Sequence, residues 1–120
     1  MTTINRKLQK IINNNLRKYF KIMSRQAIAG PNYHSVVALN SGSKLAHELK
    51  KTEIVLNCLK NGNTVITEGV MVNNARPDIC VLDLEKPIIY EVMDSETDER
   101  CDSKDYMGIR IIKVKINDKN

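Results

Sequence analysis

Apolar positions recur at intervals of three and four from residue 4 to 23: Ile4, Leu8, Ile11, Ile12, Leu16, Tyr19, Phe20 and Met23, with Lys and Arg between them. That spacing predicts an amphipathic helix. Asn13-Asn14-Asn15 weakens its middle, because Asn is a poor helix former. Gly30-Pro31-Asn32 breaks the chain, and Tyr33 to Asn40 has no clear period. Ser41-Gly42-Ser43 reads as a loop with Ser43 as an N-cap. A second helix follows, with Leu45, Leu49, Thr52, Leu56 and Leu59 as its expected buried stripe and Asn61-Gly62-Asn63 as its end. On a helical wheel Glu48 and Glu53 flank that stripe, so either can reach a site on a sheet.

The pattern then shortens to strands. Thr64 to Val72 is rich in β-branched residues. Glu68 lies in its middle, and Gly69 signals a bulge or a close backbone approach. Two further apolar runs, Ile79 to Leu82 and Ile88 to Met93, flank the polar connection Asp83-Leu84-Glu85-Lys86-Pro87 and read as a hairpin. Pro77 cannot donate to a ladder, which places the start of its strand at an edge or a bulge. Ser95 caps a short acidic helix that ends at Gly108. Ile109 to Ile116 is a last strand, with Lys113 and Lys115 on one face. The expected fold class is α/β, an α+β mixed sheet in the order helix, helix, three strands, helix, strand.

The hairpin carries the chemistry. A turn centred between Leu84 and Glu85 sets Asp78 opposite Glu91 and Arg76 opposite Met93 on one face. Opposed side chains are about 5 Å apart at Cβ. Two carboxylates that close are costly unless a cation lies between them, and Mg²⁺ typically takes one or two carboxylates and keeps several waters. The plainer alternative is a solvated polar face.

Pro77-Asp78 on one strand and Glu91 on the next, after Glu48 on an earlier helix, resembles the PD-(D/E)XK nuclease superfamily. The element order from residue 41 onward is similar to the αβββαβ core of that superfamily. Ser41-Gly42-Ser43 followed by a helical Glu resembles the opening of archaeal Holliday-junction resolvases, one branch of it. The resemblance implies metal-dependent phosphodiester hydrolysis of DNA by an endonuclease, with branched DNA as one substrate. It implies Mg²⁺ or Mn²⁺ held by Asp78 and Glu91, completed by Glu48, and a homodimer. The chain departs from the pattern where the motif Lys would fall, at Met93. Arg76 opposite it is a candidate substitute, with Lys104 a second. Arg stays protonated and is a poor base, so a nuclease-fold protein that binds nucleic acid or a protein partner without cutting is the alternative.

Charge adds to this picture. The net charge is +5, and all eight Lys and Arg before the first acid, Glu48, are uninterrupted: Arg6, Lys7, Lys10, Arg17, Lys18, Lys21, Arg25 and Lys44. A basic arm beside an acidic remainder suits a polyanion such as DNA; a solubilising helix face is the alternative. The helix could pack on the domain, pair with a second subunit or lie along a nucleic-acid backbone. Residues 1–40 are read as helix and connector, and 41–120 as the core domain. The 120 residues include only one Phe and no Trp, so the core is aliphatic. No apolar run approaches the ~18 residues of a membrane span. Cys58, Cys80 and Cys101 are odd in number and widely spaced, which fits neither a disulfide framework nor a zinc site and points to an intracellular, reducing location. His34 and His47 are ligands by residue type only.

Overall fold

The structure, a computed structural model, describes residues 6–21, 27–30, 44–93 and 105–116. The elements are α1 (Arg6–Tyr19), β1 (Ala27–Ala29), α2 (Leu45–Lys60), β2 (Val65–Thr67), β3 (Ile79–Val81), β4 (Ile88–Met93) and β5 (Arg110–Lys115). The strands form one five-stranded sheet in the order β1-β2-β3-β4-β5. The first four pair antiparallel, and β5 pairs parallel with β4. The protein is therefore an α+β mixed-sheet fold. The helix expected after Ser95 falls largely outside the described residues, as do Arg25, His34, Cys101 and Lys104.

Alternation along the strands gives each face its own core. Ile66, Cys80 and Ile89 pack with Ile12 and Phe20 on the α1 side. Val65, Ile79 and Val81 pack with Val55 and Cys58 on the α2 side. Of the three positions open to the N-terminal helix, the structure shows the first: α1 packs on the sheet. Asn15 fixes it there, its Nδ2 donating to Leu82 O at 2.7 Å and Leu84 O at 2.8 Å. The helix stops at Tyr19 because the chain then pairs with another segment. Lys21 N donates to Val70 O and Val72 N to Tyr19 O, both at 2.9 Å. The charged side of α1 stays outside, with Arg6, Lys7, Lys10, Arg17 and Lys18 exposed, as is Lys21 just after it.

The hairpin register agrees with the expected one, pairing Ile79 with Tyr90, Cys80 with Ile89 and Val81 with Ile88. Besides the early end of α1 and the start of α2, whose N-cap is Lys44 with no side-chain cap and not Ser43, four features differ from expectation. β1 was not anticipated, since Ala27-Ile28-Ala29 lacks β-branched density and is recruited by pairing with β2. Pro77 precedes an interior strand, and its missing N–H costs nothing because the ladder begins at Ile79. β2 ends at Thr67 because Glu68 takes a left-handed φ of 53°. Beside it, a side chain at Gly69 would meet Ile66 Cδ1 at 2.9 Å and Phe20 Cε1 at 3.0 Å.

The fourth difference is the largest. Leu45, Leu49 and Leu56 are 74%, 60% and 50% exposed, whereas Glu48, Lys51, Val55 and Cys58 are buried. The helix is rotated from its leucine stripe toward a polar one. The physical reason lies at the end of the sheet that α2 covers.

Candidate carboxylate site

Four acids gather where β2 ends, β3 begins and β4 continues: Glu48, Glu68, Asp78 and Glu91. Lys51 is wholly buried and bridges two of them. Its Nζ donates to Glu48 Oε1 and Glu68 Oε1, both at 3.1 Å. A buried ammonium is costly unless it is paired, so these two contacts hold the first turns of α2 on the sheet. They also seat Glu68 in a left-handed conformation that a non-glycine residue rarely adopts. His47 is the second link. Its Nδ1 lies 2.7 Å from Glu48 Oε2, and its Nε2 lies 3.5 Å from Asp78 Oδ2.

Asp78 and Glu91 adjoin across the extended hairpin register. Asp78 N donates to Glu91 Oε2 at 3.2 Å, and Val92 N donates to Asp78 Oδ2 at 2.9 Å. Tyr106 donates its hydroxyl to Glu91 Oε1. Both oxygens of Glu91 are thus fixed, one by backbone and one by a buried phenol. Glu91 is 2% exposed. The Asp78 carboxyl is pushed up to about 7, first by burial and then by the hydrogen bond and charge of Glu91, against the opposing effects of Val92 N–H and His47. The Glu91 carboxylate makes ionisation of Asp78 more costly, and a nearby cation would offset that cost.

The sequence-nominated residues divide accordingly. Glu48, Asp78 and Glu91 are brought into one linked cluster. Glu53 is exposed and pairs instead with Lys50 at 3.4 Å. Arg76 is exposed on the approach to β3, Lys44 is exposed at the start of α2, and Met93 is buried. The ammonium found among the carboxylates is that of Lys51, which the leucine reading of α2 had turned away from the sheet. Its spacing of three from Glu48 and four from Val55 was the available signal. Nothing local marked Tyr106. In the parallel register Lys113 stands beside Glu91 and Lys115 beside Met93.

Among the described residues, no three His, Cys, Asp or Glu side chains already converge as a metal site. Asp78 and Glu91 alone supply the one or two carboxylates that Mg²⁺ typically draws from a protein, so the donor set suits a hydrated ion. Among those residues no helix is long and apolar enough to cross a membrane. Cys58 and Cys80 are free and buried, and burial pushes the Cys80 thiol up to about 12. Comparison with known proteins finds no family model, no curated protein and no solved structure that matches.

The Asp78 shift has a sign that can be tested. In the unfolded chain an Asp loses its proton near pH ~4, whereas folded Asp78 keeps it up to about 7. Between those values the folded state binds more protons, so stability falls as pH rises through that window. In chelator, the urea midpoint is expected to drop between about pH 5 and about pH 7.5, and Asp78→Asn should flatten that drop. An equal slope in the variant would contradict the assignment.

Proposed function

We propose that this chain is a metal-dependent phosphodiesterase acting on nucleic acid, with DNA the preferred substrate, as the nuclease resemblance implies. The observation that supports the reading is the adjoining Asp78–Glu91 carboxyl pair at the end of the sheet, its Asp raised to about 7 by burial and by its partner. Asp78 and Glu91 would hold Mg²⁺ or Mn²⁺. The bound ion would lower the pKa of a water and offset charge on the phosphate.

The remaining residues then take defined parts. Tyr106 and the Asp78 N–H orient Glu91. Lys51 is a positioning residue: it is wholly buried and holds Glu48 and Glu68 rather than substrate. His47, partly exposed and 3.5 Å from Asp78, can hold a proton at the edge of the cluster. The charge that the motif Lys would supply comes from an accessible cation near the pair. The candidates are Arg76, which is exposed, and Lys113, the register neighbour of Glu91. The exposed bases of α1 would track the backbone of the nucleic acid.

A labelled panel of single-stranded, duplex, flap and four-way DNA, with RNA alongside, tests the reading in Mg²⁺ or Mn²⁺. Cleavage is expected to require metal and to vanish in Asp78→Ala and Glu91→Ala. At least one of Arg76→Ala and Lys113→Ala should lose roughly 10²-fold in rate. Band shifts in Ca²⁺ without cutting in Mg²⁺ would instead support the binding-only alternative, which the buried Met93 at the motif position favours. Neither binding nor cutting would reject both.

We also propose a second copy of the chain as the partner of the exposed leucines on α2. Leu45, Leu49, Thr52 and Leu56 are spaced four, three and four apart, which is the seam of a two-helix coiled coil. Sedimentation equilibrium should give twice the chain mass, and Leu49→Glu should return it to the monomer mass. A monomeric native protein would refute this.

A further inference from the structure

At the other end of β4 from the carboxylates lies a cavity of about 480 Å³. The α1 terminus, the β3–β4 connection and the start of β5 form its walls and leave it open to solvent on one side, and Lys18, Lys86 and Arg110 line it together with Glu85, Tyr19 and Ile109. Each of the three cations comes from a different element. Convergence of this kind differs from a charge run along one helix, where each side chain is separately solvated. Lys18 has an internal role, since it lies 5.1 Å from the Tyr19 ring centroid and complements the helix dipole at the end of α1. Lys86 and Arg110 are exposed and form no ion pair among the described residues. With one carboxylate against three cations, the cavity carries excess positive charge over an apolar wall.

The walls are anchored. Asn15 ties α1 to Leu82 O and Leu84 O. Asp83 accepts from Thr64 N at 3.1 Å, which fixes the start of the connection. Ile109 N donates to Tyr106 O at 3.1 Å in the turn that delivers Arg110. Such a cavity falls within the roughly 300–1,000 Å³ of small-molecule sites. Along β4, Glu91 lies three positions beyond Ile88, about 10 Å at strand rise, so the cavity is a place distinct from the carboxylate cluster.

We propose that this cavity binds a phosphate-bearing ligand of mononucleotide size. The phosphate is held by Lys86 and Arg110, and the ring body rests against Tyr19 and Ile109. Arg110 supplies the planar, multi-donor group that suits a phosphate, and Lys86 supplies a point charge. The proposal does not depend on the carboxylate cluster cutting anything.

The test is calorimetric titration with adenosine 5′-monophosphate in chelator, with adenosine as the uncharged control. Saturable binding of the nucleotide and not of adenosine is expected. Lys86→Gln/Arg110→Gln, which changes two exposed residues, should weaken binding at least about tenfold. Lys60→Gln/Lys115→Gln removes the same charge elsewhere and should leave binding within about threefold, less than the loss of one charge-assisted hydrogen bond. A 5′-phosphorylated oligonucleotide set against its unphosphorylated form separates the two sources of the ligand: competition by the phosphorylated strand marks a strand end, and none marks a free nucleotide. No saturable binding, equal binding of adenosine, or equal weakening in both double variants would overturn the proposal.

Discussion

A single buried ammonium sets the arrangement of this protein. Lys51 has no access to water and is held between Glu48 of its own helix and Glu68 of the segment after β2. A buried charge must be paired or it destabilises the fold. That requirement turns α2 so that Glu48, Lys51, Val55 and Cys58 face the sheet and Leu45, Leu49 and Leu56 face outward. It also carries Glu48 and His47 over the sheet end and brings His47 Nε2 to 3.5 Å from Asp78. The strained Glu68 backbone is held by the same pair of contacts.

The division of the molecule follows from this. One end of the sheet concentrates carboxyls: Asp78 and Glu91 against each other, with Glu48 and Glu68 against Lys51. The other end concentrates cations around an apolar cavity. β4 spans the two, with Ile88 beside Arg110 and Glu91 beside Lys113 in the parallel register. The apolar layers on either face keep both ends fixed relative to one another.

Much of the fold was legible because strand alternation and turn chemistry are local. Ile79 to Leu82, Ile88 to Met93 and the breakers between them were enough to place Asp78 level with Glu91. The end of α2 was legible too, with Asn61 as its cap and Gly62 at φ 80°; the end of α1 and β1 were not. α1 ends early because Phe20 and Lys21 are drawn to the 70–72 segment, a contact fifty residues away in sequence. β1 exists because β2 offers it an edge. The face of α2 was misread for a related reason. Periodicity counts leucines as inward by default, and it cannot weigh an ammonium that finds one carboxylate on its own helix and a second across the fold. Lys51 was therefore overlooked although it lies three residues from Glu48, and Tyr106 was invisible because only the tertiary fold brings it to Glu91.

The most direct test of the account is the unfolding free energy of Lys51→Met, which keeps the side-chain volume and deletes the charge. Leaving Glu48 and Glu68 without their shared cation should cost about 3–5 kcal/mol at neutral pH. A variant as stable as the native protein, or more stable, would show that the Lys51 contacts do not set the orientation of α2.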